Sequence, residues 1–111
     1  MWLHGGGIRY SSTNNAIAVF LCKSSTYQKE IKGDKLEYMG SGKGNQDPNM
    51  GRNARITNAK KNNSSIFVFE MVDGVNCRYL GQFEPYKEPS IVKIKNKYGE
   101  EESKIIFHLK R

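Results

Sequence analysis

The sequence predicts an α+β fold, a small twisted β barrel or crescent with one short helix. Short apolar and β-branched runs recur along the chain and are separated by turn residues, which is typical of a sheet built from short strands. Only residues 52–61 are suited to a helix, and this segment is brief and basic. The length of 111 residues predicts a single domain, 1–111, with one modest core.

Six strands are predicted from hydrophobic patterning. They cover residues 16–22, 35–38, 66–72, 78–84, 90–95 and 104–109. In the second strand, Leu36 and Tyr38 are expected on one face and Lys35 and Glu37 on the other. The last two strands alternate in a way that places an apolar face inward and lysines outward.

Turn residues indicate how the strands are connected. Asp73-Gly74 predicts a hairpin between the third and fourth strands, and Gly99 with the three glutamates that follow it predicts a turn before the last strand. Residues 40–51 contain several glycines, two kinds of amide side chain and a proline, so they are predicted to form a polar surface loop.

The chain is basic and contains many aromatic residues. Eighteen Lys and Arg residues against eleven Asp and Glu give a formal charge of +7, and there are six Tyr, five Phe and one Trp. This composition suits a polyanion with stackable bases. A basic surface that only maintains solubility accounts for the same composition equally well.

Cysteine usage and hydropathy exclude several classes of protein. Cys22 and Cys77 are far apart, form no CxxC pair, and are expected to be buried reduced thiols. Together with His4 and His108 they lack the spacing of a structural zinc site, so neither a metal nor a cofactor is predicted. No run is long enough for a membrane span and the first seven residues are no signal peptide, so a soluble cytoplasmic protein is expected.

Catalytic motifs are also missing from the sequence. Nucleophilic catalysis needs a base beside a Ser or Cys, and the two histidines lie at a glycine-rich terminus and inside the last predicted strand. The run Gly40-Ser41-Gly42-Lys43-Gly44 lacks the ending of a phosphate-binding loop, and no long helix follows it. We therefore expect a binding module and not an enzyme.

The order of the motifs is more informative than any one of them. Along the chain come Gly7-Ile8-Arg9-Tyr10, Asn14-Asn15-Ala16, Tyr27-Gln28-Lys29-Glu30, Tyr38-Met39-Gly40-Ser41-Gly42, Gly44-Asn45-Gln46, Arg52-Asn53-Ala54, Arg78-Tyr79-Leu80-Gly81 and Ile105-Ile106-Phe107-His108-Leu109-Lys110-Arg111. This series resembles the SRA (SET and RING-associated, or YDG) domain family. The resemblance extends from Gly5 to Arg111.

The resemblance implies a reader of modified cytosine in double-stranded DNA that works by base flipping. Such domains serve eukaryotic methylation maintenance or bacterial modification-dependent restriction, and the second role implies a nuclease elsewhere and a place at the bacterial nucleoid. The predicted ligand is DNA with 5-methyl- or 5-hydroxymethylcytosine. An alternative is a protein-interaction or inhibitor module, for instance phage-encoded, that keeps the fold without the base pocket.

The resemblance also assigns a base pocket. Tyr27 and Tyr38 would stack on the extruded base, Glu30 would accept the cytosine N4 amine, and backbone groups near Met39 and Gly40 would bind the remaining edge. Glu30 stands where the family usually has Asp, and Met39 where it usually has Thr. Read without the resemblance, the two tyrosines are core aromatics and Glu30 is a solvated acid.

A second set of residues is predicted to contact the DNA backbone or grooves. It comprises Arg9, Lys43, Asn45, Gln46, Arg52 and Asn53. Within this set the cationic side chains are expected on phosphates, because most protein contacts to DNA go to the backbone. Residues of the 40–51 segment would approach the vacated position in the base stack.

Overall fold

A computed structural model describes residues 7–22, 33–40, 44–71 and 75–111. Within these ranges the chain forms six strands and one helix. The elements are β1 Ile8–Ser11, β2 Ala16–Cys22, β3 Lys35–Met39, α1 Gly51–Thr57, β4 Ser65–Met71, β5 Cys77–Lys95 and β6 Glu101–Lys110. The predicted α+β class with one short helix is confirmed.

All six strands belong to one curled sheet with the order β1-β2-β4-β5-β6-β3. The β2–β4 pair is parallel, which requires a crossover, and the chain between these strands passes through β3 and α1. The other neighbouring pairs are antiparallel. The described strands do not close into a barrel, so of the two predicted shapes the twisted crescent is the correct one.

The long strand β5 joins the two halves of the sheet. Residues 77–83 pair with β4 and residues 84–95 pair with β6. A bulge lies in β5 at Leu80, next to Gly81, whose φ of +127° is unfavourable for any other residue. Two further register shifts flank Lys87, where Pro85 and Pro89 cannot donate to the ladder. These irregularities bend β5, so that its first part pairs with β4 and its second part pairs with β6.

The core lies on the inner face of the curled sheet, where α1 packs against β1 and β5. Its members that are at most 2% exposed are Ile8, Ile17, Val19, Leu36, Tyr38, Ile56, Ala59, Ile66, Val68, Phe83, Ile105, Phe107 and Leu109. Leu36 and Tyr38 are buried while Lys35 is exposed and Glu37 is half-exposed, which confirms the predicted faces of β3. Because such alternation is read from sequence directly, this strand was predictable.

Several predicted boundaries are wrong. Strand β1 was not predicted, and the two strands predicted at 78–84 and 90–95 are one continuous strand. The helix ends at Thr57 and not at residue 61, since the chain turns through residues 58–63 and Asn63 adopts a φ of +57°. The hairpin between β4 and β5 and the turn at Gly99 are confirmed, although Asp73 and Gly74 lie outside the described residues.

Burial also corrects one expectation from the sequence. Cys77 is exposed and not buried, and the side chain of Cys22 lies outside what the structure describes. The predicted alternation holds, since Lys93, Lys95 and Lys110 are exposed, and Ile91 lies on the same exposed face as Lys93. Lys104, which the predicted alternation did not include, is buried. No helix in the described ranges is long and apolar enough to cross a bilayer.

Candidate functional site

The end of β3 is the centre of the candidate site. The backbone N–H of Gly40 donates to the carbonyl of Ile105 at 2.8 Å, which extends the β3–β6 ladder by one bond. A Cβ placed on Gly40 would lie 2.8 Å from Asn53 Oδ1 and 3.0 Å from Gln46 Oε1. Two side-chain amides therefore pack directly on the Gly40 backbone, and glycine is required there by this close approach.

The side chain of Gln46 returns to Gly40 and links it to β6. Its Nε2 donates to the Gly40 carbonyl at 2.8 Å and its Oε1 accepts from the N–H of Ile105 at 3.0 Å. Its own backbone N–H donates to the Ser103 carbonyl at 2.8 Å. One carboxamide supplies both a donor and an acceptor, so the Gln46 side chain bridges the Gly40 carbonyl and the Ile105 N–H, as a backbone residue would in a β ladder.

The neighbours of Gln46 are also fixed to β6. Asn45 is exposed, yet its Oδ1 accepts from the N–H of Ser103 at 2.8 Å. The buried Lys104 ammonium donates to the Gly44 carbonyl at 2.7 Å. Residues 40 and 44–46 are thus held along one side of β6, which contradicts the prediction that the whole 40–51 segment is a surface loop. Gly40 and Gln46 belong to the interior.

Tyr38 lies two residues before Gly40 and is 1% exposed in the core. Its burial raises the pKa of its hydroxyl well above the ordinary tyrosine value, so the side chain is neutral at physiological pH. A Cβ placed on Gly7 would lie 2.5 Å from this hydroxyl. The Tyr38 side chain therefore packs against the residue that precedes β1, in keeping with its interpretation as a core aromatic.

The structure brings together Tyr38, Met39, Gly40, Gln46 and Asn53 from the predicted site, and all five are buried. Tyr27, Glu30 and Lys43 lie outside the described residues. Gly40 was predicted to bind the base through its backbone. Its N–H and one lone pair of its carbonyl oxygen already form hydrogen bonds within the chain.

An open cleft of about 470 Å³ adjoins this cluster. Its lining residues are Asn45, Gln46, Asp47, Met50, Gly51, Arg52 and Asn53. Met50 is 66% exposed at its rim and Arg52 is exposed beside it. Arg9 is exposed on β1, paired with Ala18, and does not line this cleft. The described members of the predicted DNA-contact set therefore divide into two buried residues, Gln46 and Asn53, and three exposed ones, Arg9, Asn45 and Arg52.

A second cleft, of about 420 Å³, lies between α1 and the irregular part of β5. His108 lines it and is 6% exposed, with Nε2 at 2.7 Å from Ser90 Oγ. Burial and the nearby Lys87 lower the pKa of His108, and Glu37 opposes that shift. The expectation that His108 is simply a strand residue is confirmed. In the described ranges no group of three or more potential metal ligands comes together.

Sequence reasoning missed two residues of this site. Gly7 matters only because the curled sheet brings it against Tyr38, and Lys104 matters only because β6 runs beside Gly44. Both contacts join residues that are more than 30 positions apart. No local pattern in the sequence signals either of them.

Comparison with known proteins identifies the fold. No family model and no curated protein sequence matches the chain. Solved structures do match it. The SUVH5 SRA domain in complex with methylated CHH DNA superposes with a TM-score of 0.68 at 17% identity, over 95% of this chain and 72% of that chain.

Two further structures agree with this result. The SUVH5 SRA domain bound to fully hydroxymethylated CG DNA gives a TM-score of 0.67 at 16% identity, over 95% of this chain and 73% of that chain. KRYPTONITE in complex with mCHH DNA, an H3 peptide and SAH gives 0.67 at 15% identity, with all of this chain covering 27% of that one. The chain therefore has the SRA-domain fold, as the ordered motifs predicted.

Proposed function

We propose that this domain binds duplex DNA and reads a modified cytosine, 5-methyl- or 5-hydroxymethylcytosine, by flipping it into a pocket at the end of β3. The observation that carries the proposal is the hydrogen bond from Gln46 to Gly40, two residues after Tyr38, in a fold shared with SRA domains solved with methylated and hydroxymethylated DNA. The charge of +7 suits a polyanionic ligand.

In the proposed pocket, Tyr27 and Tyr38 sandwich the extruded ring and Glu30 accepts its N4 amine. Because Tyr38 is 1% exposed, this stacking requires one face of its ring to be uncovered when DNA binds. Stacking and hydrogen bonds then offset the few kcal/mol that unstacking a base costs. The second lone pair of the Gly40 carbonyl remains for the base edge, since its first partner is Gln46. Met39, which is 3% exposed, forms the floor near the 5-substituent.

The remaining predicted residues divide by exposure. Arg9, Asn45 and Arg52 are exposed, and with Lys43 we assign them to the DNA backbone. Gln46 and Asn53 are 9% and 5% exposed, so we assign them to holding Gly40 in place and not to direct contact with DNA.

We further propose that the domain acts without catalysis of its own, as the recognition module of a bacterial modification-dependent restriction system. Two observations support a module that works beside other domains. The sequence carries no motif of a nuclease site. The same fold occupies only 27% of the matched KRYPTONITE chain. The nuclease would then lie in another domain or subunit.

A titration with matched duplexes tests the proposal. Duplexes with cytosine, 5-methylcytosine or 5-hydroxymethylcytosine at one position are compared at two salt concentrations, with 2-aminopurine beside the target base. We expect tighter binding to a modified duplex and a rise in fluorescence as the base leaves the stack. Binding that is equal for all three duplexes, or that leaves the fluorescence unchanged, contradicts base reading.

Glu30→Ala tests the pocket itself, with Glu100→Ala as the control for removal of an exposed acid. We expect Glu30→Ala to abolish the preference for modified DNA while salt-sensitive binding persists. A preference that survives this change excludes the assignment of Glu30. Cleavage of modified DNA by the purified domain with divalent metal contradicts the non-catalytic part of the proposal.

A further inference from the structure

We propose that Lys104 is a positioning residue for the base pocket, because its buried ammonium fixes the far end of the segment that starts at Gly40. This inference rests on the function proposed above. Lys104 would not contact the base. It would act through Gly44 and Gln46, which hold Gly40 at the pocket edge.

The Lys104 side chain is unusual for a lysine. It is 7% exposed, and its ammonium donates to the Gly44 carbonyl at 2.7 Å and pairs with Glu102 Oε1 at 3.2 Å. Lysines are rarely buried unless they are paired, because removing the charge from water costs free energy. Gly44 has a φ of +68°, so the ammonium binds a carbonyl in a backbone conformation that only glycine adopts easily.

The partner of Lys104 is itself held in place. Glu102 Oε2 accepts from Asn96 Nδ2 at 2.9 Å. The hydrogen bond from Asn96 and the hydrogen bond from Lys104 lower the pKa of Glu102, so this carboxylate stays ionised. Asn96 Oδ1 also accepts from the backbone N–H of Tyr98 at 2.8 Å and of Glu100 at 3.0 Å. The turn between β5 and β6 therefore determines where the ammonium lies.

The contacts of Lys104 continue into the site. Next to Gly44, Asn45 accepts from Ser103, and Gln46 bonds to Ser103, Ile105 and Gly40. Without the ammonium, Gly44 loses its hydrogen bond from Lys104, and this end of the segment is held by the bonds of Asn45 and Gln46 to Ser103 and Ile105. We infer that Gln46 then loses its register against Gly40, and that the pocket edge shifts.

Lys104→Met tests the inference, and Lys93→Met is the matched control. Lys93 is exposed on β5 opposite Ser103, so its change removes the same charge from the neighbouring strand without touching Gly44. The measured quantity is the ratio of dissociation constants for unmodified and modified duplexes. We expect this ratio to fall about fivefold or more for Lys104→Met, since hydrogen bonds from charged groups are the stronger ones. Lys93→Met should weaken both duplexes equally.

Two further measurements keep the test decisive if Lys104→Met is unstable. Lys104→Arg retains a charged donor and should recover part of the ratio. Amide hydrogen exchange at Gln46, measured without DNA, should accelerate in Lys104→Met and not in Lys93→Met. An unchanged ratio or an unchanged exchange rate overturns the positioning role. A wild-type chain that does not discriminate between duplexes overturns the proposed function instead. The exchange rate at Gln46 then still shows whether Lys104 holds Gly44 and Gln46 in place.

Discussion

The hydroxyl of Tyr38 lies 2.5 Å from the position that a Cβ would take on Gly7. Gly7 immediately precedes β1 and Tyr38 lies in β3, and these are the two outermost strands in the sheet order. The sheet is therefore curled far enough for its two edges to meet around one aromatic side chain. The position of Tyr38, a proposed wall of the pocket, therefore depends on how strongly the sheet is curled.

Gly7→Ala is expected to destabilise the fold, because the new methyl group overlaps the Tyr38 hydroxyl inside a packed core. Overpacking of this kind costs about 1–3 kcal/mol. The free energy of unfolding from urea titration measures the loss. The same variant should lower the preference for modified duplexes, since Tyr38 is the proposed wall.

Tyr38→Phe supplies the control, because it removes the atom that the alanine methyl meets. In the Phe background, Gly7→Ala should cost clearly less than it does alone, and the double-mutant cycle measures the difference. Additive losses in the two variants would show that the contact between Gly7 and Tyr38 is not the source of the effect.

Gln46→Ala should destabilise the domain by about 1–3 kcal/mol, the cost of leaving a buried polar group without a partner. The change leaves the Gly40 carbonyl and the Ile105 N–H without their side-chain partner. Gln82→Ala is the control, since Gln82 is exposed on β5. Equal unfolding free energies for the two variants would show that the internal bonds of Gln46 contribute little.

Strands could be predicted from the sequence where a run of neighbouring residues shows the apolar or alternating pattern of a strand. The apolar run of β2 and the alternation of β3 are visible in sequence, and both strands lie where they were expected. Strand β1 has only four residues and one buried side chain, Ile8, so its strand geometry depends on pairing with β2. The prolines of β5 resemble a loop in sequence, yet the strand continues across them by accepting bulges.

The site was less predictable than the fold because its polar residues are buried by long-range contacts. Gln46 and Asn53 were predicted as DNA contacts from the order of the motifs, and the sequence did not indicate that both are buried. The many aromatic residues suited a ligand with stackable bases, but Phe69 packs on both Phe20 and Tyr79, with ring centroids 5.3 Å apart in these two pairs. Neither outcome follows from residue type, because both depend on which strands become neighbours.

Stability is expected to fall as pH drops through the histidine range, and His108 is the cause. Its pKa in the folded chain lies below the ordinary value of about 6.5 because of burial and Lys87. Between those two values the unfolded chain binds a proton that the folded chain does not, so acid favours unfolding. The contribution of His108 to the free energy of unfolding is complete above its ordinary pKa and is lost as the pH falls through its pKa in the folded chain.

Urea unfolding of the wild-type chain and of His108→Gln, from pH 8 to pH 5, measures this effect. The stability difference between the two proteins should shrink as the pH falls, because the variant lacks the titrating ring. His4→Gln, which changes the other histidine of the chain, measures how much of the pH dependence belongs to that residue. Parallel curves for His108→Gln would assign the acid sensitivity to other groups.

Met50 is expected to contribute to base flipping by occupying the space that the base leaves. It is an apolar side chain, 66% exposed, at the rim of the cleft beside Arg52. Its carbonyl accepts from the N–H of Ala54 at 3.4 Å and its N–H donates to Asp47 at 3.3 Å, so the backbone presents it on a fixed turn. Methionine is among the apolar side chains that proteins insert between base steps.

Met50→Ser should therefore weaken binding to a modified duplex about fivefold, or roughly 1 kcal/mol, while Met50→Leu should retain most of it. Val75→Ser is the control, because Val75 is 88% exposed and does not line the cleft. Placing an abasic site opposite the target should reduce the loss, since less stacking is broken on flipping. If Met50→Ser binds as tightly as Val75→Ser on a fully paired duplex, Met50 does not enter the stack.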